Sequence, residues 1–186
     1  MRGIMRADAR RNRERVLRAA REAFAAEGMG VPLDEIARRA GVGAGTVHRH
    51  FPTKEALFEA VVADHLGELL GYARAALEKD DPAAAFYGFL AEMIGQADAK
   101  LDLTDALAAA GVGMSEPTRA VAAELRAAFA VLLERGQRAG AVRGDVEAGD
   151  VTPIVLGALA ADRHRADPER PGRLALLVCD CLRPKT

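Results

Sequence analysis

Two short apolar patterns at helical period, separated by a turn that Gly41 opens, constrain this chain most. They lie in VPLDEIARRAGVGAGTVHRHF, from Val31 to Phe51. Leu33, Ile36, Ala37 and Ala40 share one face of a helix, which Gly41 ends. Pro32 suits its first position, with Asp34 and Glu35 in its first turn. A second short helix over 44–50 turns Val47 inward, followed by Phe51. Ile36, Ala37, Val47 and Phe51 then pack on a longer helix that starts near Arg11. There Val16, Leu17, Ala20 and Phe24 form one stripe with arginines opposite.

The glycines of GVGAGTVHRHF invite three readings. A nucleotide loop needs a strand before it and G-x-G-x-x-G or G-x-x-x-x-G-K-[ST] spacing. Here the spacing is G-x-G-x-G after a helix. A metal site fails on geometry: His48 and His50 stand about 200° apart around a helix axis, and no nearby Cys, Asp or Glu completes a set. The third reading, helix, tight turn, helix, fits the surroundings. It leaves Ala44, Thr46, His48 and Arg49 turned outward, types that can touch bases and phosphates. Gly43 and Gly45 let a backbone approach closely at the helix N-terminus.

Charge agrees with that reading. The net charge of −1 conceals an asymmetry. Residues 1–54 hold 12 Lys/Arg against 6 Asp/Glu, and residues 55–186 hold 14 against 21. A basic end on an acidic body suits a polyanion partner. Arg2, Arg6, Arg10, Arg11 and Arg13 read equally as solvated surface or as an arm on DNA. Lys54 at a helix start opposes the helix dipole, a misfit that a phosphate contact would explain.

The remaining segments also read as helices, so the expected fold is all-α with about nine of them. Thr53 caps a long helix carrying Leu57, Val61 and Leu69 or Leu70. A pair follows near 82–99 and 102–110, then a loop at 111–117 and a long helix over about 117–138. Thr152 is expected to cap, and Pro153 to open, an apolar helix. A last helix spans about 171–182. The expected division is a DNA-binding domain over 1–52 and a ligand-binding and dimerisation domain over 53–186. The opening MRGIMRADARR lacks a signal-peptide core, and no run approaches the ~18 apolar residues of a membrane span, so a cytoplasmic protein is expected. Cys179 and Cys181, two apart on a helix, read as apolar filling. Asp98, Asp102 and Asp105 lack a calcium-loop pattern, and no metal or cofactor is expected.

The stretch VPLDEIARRAGVGAGTVHRHFPTKEALFEAVV resembles the N-terminal domain of TetR-type transcriptional regulators, whose usual string is similar to IAxxAGVSxGTLYxHFxSKExL. Ile36, Ala37, Ala40, Gly41, Val42, Gly45, Thr46, Val47, His50, Phe51, Thr53, Lys54, Glu55 and Leu57 carry the likeness. The chain departs from it with His48 in place of Tyr, and with Gly43 and Ala44 where polar or basic side chains are usual. The resemblance implies phosphate contact by Lys54 and at the position of His48. It implies base contact around Ala44, Gly45, Thr46 and Arg49. His50, beside inward Phe51, is a packed histidine or a base reader.

The same resemblance implies a homodimer in which the last two helices meet their twins in a four-helix bundle. Val151, Ile154, Val155, Ala158 and Leu159 would face it from one helix, and Leu174, Leu177 and Val178 from the next. A two-fold dimer reads a palindromic operator on double-stranded DNA. The family's middle helices enclose an apolar pocket for a small hydrophobic ligand. Candidates here are Leu66, Leu70, Phe86, Phe89 and Met93, then Leu107, Met114, Leu125 and Phe129. The expected function is a repressor released by that ligand. The competing reading is a helical protein-interaction module whose reading head has degenerated, motivated by the absent side chains at 43 and 44. An enzyme is not expected, because no nucleophile, base and orienting group fall together.

Overall fold

The computed structural model describes residues 2–96, 113–163 and 173–184. Among them every regular element is helical: eight α-helices and one 3-10 turn. In chain order they are α1 (Arg2–Glu27), the turn Gly28–Gly30, α2 (Leu33–Ala40), α3 (Ala44–His50) and α4 (Lys54–Leu77). Then come α5 (Pro82–Gln96), α6 (Glu116–Arg138), α7 (Ala148–Arg163) and α8 (Arg173–Cys181). The helix expected over 102–110 lies outside the described residues, as do Leu107, Asp98, Asp102 and Asp105. No described helix is long and apolar enough to cross a membrane.

Contacts divide the chain into two compact units. The first holds residues up to His65 and a segment ending at Thr118, and the second holds the stretch from Leu66 to Asp102 and everything from Arg119.

In the first unit the apolar stripe of α1 is fully used: Val16, Leu17, Ala20 and Phe24 are buried. Phe24 meets Phe58 of α4 edge to face, with ring centroids 5.1 Å apart. The helix begins well before Arg11, at Arg2. Two pairs along its exposed side suit that extension: Arg11 to Asp8, and Arg10 to Glu14 at 3.6 Å. Thr53 caps α4 as expected, its hydroxyl accepting from the Ala56 amide at 3.1 Å. Glu59 of α4 ties down the start of α6. Its carboxylate accepts from the Ser115 amide at 2.6 Å and from the buried Thr118 hydroxyl at 3.1 Å.

In the second unit the core joins α5, α6, α7 and α8. Phe86 stacks on Phe129 at 6.0 Å, and Phe89 tilts against the same ring at 5.8 Å. Asp81 caps α5 by accepting from the amides of Ala83 and Ala84. Arg135 holds the far end of α4, donating to the carbonyls of Leu77 and Lys79. The connector after α6 folds back over that helix. Gln137 donates to the carbonyls of Arg143 and Val146 at 3.0 and 2.8 Å.

Gly136 makes that return possible. A Cβ there would stand 2.7 Å from Val142 Cγ2 and 3.6 Å from Phe86 Cβ. Alanine inside a helix ordinarily gains about 1 kcal/mol over glycine. Here the clash is expected to win, so Gly136→Ala should destabilise by about 1–2 kcal/mol. Urea unfolding checks it, and a stabilised variant would show that the connector yields without cost.

Two expected helix starts need correction. Pro32 is the cap residue before α2, with extended backbone, and its carbonyl accepts from Ile36 at 3.2 Å. Pro153 does not open α7 but lies inside it, and Thr152 is not its cap. The helix starts a turn earlier, where Asp150 accepts from the Glu147 amide at 2.9 Å in a reciprocal cap. The Thr152 hydroxyl donates back to the Ala148 carbonyl at 3.1 Å.

Candidate nucleic-acid interface

The turn between α2 and α3 is closed by backbone alone. Gly41 sits in the left-handed region, at φ 61° and ψ 38°. Its amide donates to the Arg38 carbonyl at 3.1 Å, and the Val42 amide to the Ala37 carbonyl at 3.0 Å. This pair of bonds is the Schellman motif, which glycine enters without Cβ strain. Arg15 of α1 donates to the Gly41 carbonyl at 3.1 Å and fixes the turn to the long helix.

This turn sets the phase of α3. Val47 and Phe51 are buried, together with Ile36 and Ala37 of α2. Ala44, Gly45, His48 and Arg49 are exposed and Thr46 is half-buried. Arg49 donates to the Thr46 hydroxyl at 3.1 Å. His48 Nε2 stands 2.9 Å from Asp34 Oδ1 of α2. His50 lies on the side facing α1, its ring 6.4 Å from that of Phe51. With Arg13, Val16, Val42 and Thr46 it lines a small cleft between α1 and α3. His50 is itself exposed.

Lys54 is engaged elsewhere. Its Nζ donates to the Met29 carbonyl at 2.7 Å, bracing the turn Gly28–Gly30. No pattern in the sequence announced this partner. It also accounts for a cation at a helix start without a phosphate.

Two sets of cations stand near the turn. Arg38 and Arg39 both donate to Glu35, and Arg39 also reaches Glu27 at 2.6 Å. These donors, Arg38 first, hold the Glu35 carboxyl down to about 2 from its ordinary 4.5. Because the folded value is depressed, the contribution is full above about pH 4.5 and is lost as pH falls toward 2. The melting temperature of Glu35→Gln should therefore fall less between pH 5 and pH 2 than that of the parent chain. Equal falls would show that the network adds nothing to stability. The other set has uncharged partners: Arg15 on a carbonyl, Arg49 on a hydroxyl, Lys54 on a carbonyl, and Arg13 over the Phe51 ring at 6.0 Å. Their charge is left uncompensated by those bonds.

The residues expected in a ligand pocket are only partly brought together. Phe86, Phe89 and Phe129 form one aromatic core, with Met93 and Leu125 packed half-buried against it. Leu70 is buried but not part of that cluster, and Leu66 is half-buried. Met114 belongs to the first unit.

The expected dimer residues also divide. Val151, Val155 and Leu159 are buried in their own unit, packed with Ala175 and Cys179. Ala158, Leu174 and Val178 are half-buried. Ile154 and Leu177 are exposed, at 52% and 46%, and so are Leu156 and Leu176, which the sequence reading did not single out.

Comparison with known proteins agrees with this architecture. Residues 16–61 match the family model described as bacterial regulatory proteins of the tetR family. Residues 81–184 match that of the transcriptional regulator SbtR-like C-terminal domain. A TetR transcription regulatory protein from Mycobacterium vanbaalenii is 42% identical, with 97% of this chain and 99% of that one covered and a TM-score of 0.72. The TetR transcriptional regulator SCO0520 from Streptomyces coelicolor is 33% identical over 94% of this chain and 99% of its own, also at 0.72. Two Pseudomonas putida regulators, the uncharacterized TtgW and SrpR, are each 45% identical over 58 residues, 31% of this chain. That match spans 43% and 27% of their own lengths. A helix-turn-helix unit and an SbtR-like helical unit in one chain, with near full-length likeness to such regulators, identify it: the chain belongs to the TetR family of bacterial regulatory proteins.

Proposed function

We propose that the chain is a transcriptional repressor that binds a palindromic operator as a homodimer and leaves it when a small apolar ligand binds. The observation that carries this reading is the outward row of α3. Thr46, His48 and Arg49 stand exposed or half-exposed on a helix phased by buried Val47 and Phe51, beside cations whose partners carry no charge. Such a surface meets phosphate and base edges together. Ala44 and Gly45 give the backbone close approach, and Arg49 is the main base-reading side chain. Lys54 and His50 support the head from behind. Residues 1–52 carry the DNA contacts and residues 53–186 the ligand and the dimer.

Release follows from linkage: the ligand must prefer the form that binds DNA less well. Met93 and Leu125, at the edge of the aromatic core, are the side chains that an apolar ligand meets first. Two copies joined through the exposed face of α7 and α8 present two reading helices, which is why the operator is a palindrome.

Fluorescence anisotropy on duplex DNA from beside the chain's own gene, against a scrambled duplex at two salt concentrations, tests the reading. The expected preference is ~10³ or more, weakening as salt rises. Arg49→Ala should lower affinity for the native duplex about tenfold and leave the scrambled one less affected. Equal, weak binding to both duplexes would favour the interaction-module reading, which the bare Gly43 and Ala44 positions already motivate.

A further inference from the structure

His48 and Asp34 are 14 residues apart in sequence, on different helices, and meet at the surface that the head would present to DNA. Asp34 Oδ1 lies 2.9 Å from His48 Nε2. A carboxylate only accepts, so the shared proton belongs to Nε2. In the neutral form of the ring the lone pair then lies on Nδ1, which has no hydrogen-bond partner among the described residues. Left alone, an exposed imidazole exchanges tautomers and rotates. Held by Asp34, it keeps one tautomer and one orientation.

We propose that Asp34 is a specificity-determining residue of the head: it positions His48 with Nδ1 as an acceptor, which selects an exocyclic amino group in the major groove. The proposal rests on the DNA-binding reading above. Only adenine N6 and cytosine N4 supply such a donor there, whereas guanine and thymine show acceptors at the corresponding edge. The neutral ring has nothing to donate to a phosphate oxygen. A position on the outward row of α3 is thereby turned from backbone contact to base reading.

Exposure makes the pair testable. The side chains are 49% and 74% exposed, so this surface hydrogen bond adds little to folding and variants keep their fold. Water leaves the pair only when a duplex covers it, and the hydrogen bond then fixes the ring most firmly.

The test is selection of duplexes from a random library with the full chain and with Asp34→Ala, Asp34→Asn, His48→Ala and the double alanine variant. Circular dichroism melts confirm that each is folded. The parent chain is expected to enrich a motif with adenine or cytosine favoured at one position of each half-site. Asp34→Ala should lose roughly 3- to 10-fold preference at that position alone. Asp34→Asn, whose amide oxygen still accepts from Nε2, should keep it and bind all duplexes more tightly, since a negative charge is gone. His48→Ala should lose the same preference, and adding Asp34→Ala to it should change nothing further there. Asp34→Ala with an unchanged motif, or with preference lost evenly at every position, overturns the proposal while leaving DNA binding intact. A parent chain that enriches no motif overturns the DNA-binding reading, and this proposal with it.

Discussion

Glutamate in place of Ile154, or of Leu177, should convert the protein to a monomer and lower its affinity for a palindromic duplex ~100-fold or more. Both side chains are about half exposed on neighbouring helices, α7 and α8, while the opposite faces of those helices are buried in their own core. A soluble chain rarely leaves such an apolar patch open. A two-fold contact through it repeats each substitution, so one change places two charges in the interface. Burying an unpaired carboxylate is far costlier than losing one aliphatic contact. Analytical ultracentrifugation reads the mass, and anisotropy the loss of bivalent binding. The melting temperature of the isolated chain should hardly move, because neither residue belongs to its core. A variant that stays dimeric would place the contact elsewhere on the chain.

Phe86→Ala should be the most damaging single truncation in the second unit. Phe86 is fully buried, stacked on Phe129, edge-on to Tyr87 at 5.2 Å, and close under Gly136. Removing a phenyl ring from such packing costs about 3–5 kcal/mol, part transfer and part cavity. For a chain of this size that lowers the melting temperature by roughly 10 °C. Calorimetry suits the measurement, since two compact units need not melt together. A fall of under 2 °C would mean that the neighbouring rings collapse into the space.

Where a residue's physics is local, the sequence was readable. Gly41 had to take a left-handed turn because the apolar phase changes across it. Thr53 had to cap because a helix pattern begins just after it. The stripe Val16, Leu17, Ala20, Phe24 could face only a core. Where two local rules compete, the sequence is ambiguous. Pro153 looked like a helix start, but Glu147 and Asp150, three apart, cap the helix first, and that pair was the missed signal. Val151, Val155 and Leu159 were apolar enough for any interface. Nothing in a helix that is apolar nearly all round says which stripe its own chain takes. The approach of Asp34 to His48, and of Lys54 to the Met29 carbonyl, depends on how α2, α3 and the Gly28–Gly30 turn pack. No spacing encodes it.

The bonds of Arg15 and Lys54 restrain a cation without neutralising it, because a carbonyl takes the hydrogen bond and returns no charge. A lysine free in solvent gives up about 2 kcal/mol of rotamer freedom when a polyanion immobilises it. Lys54 has already given up much of that freedom in folding. Seen from an approaching duplex, these two residues are a fixed electrostatic field rather than flexible tethers. On the proposed function, they would attract phosphates while asking little further ordering of the protein.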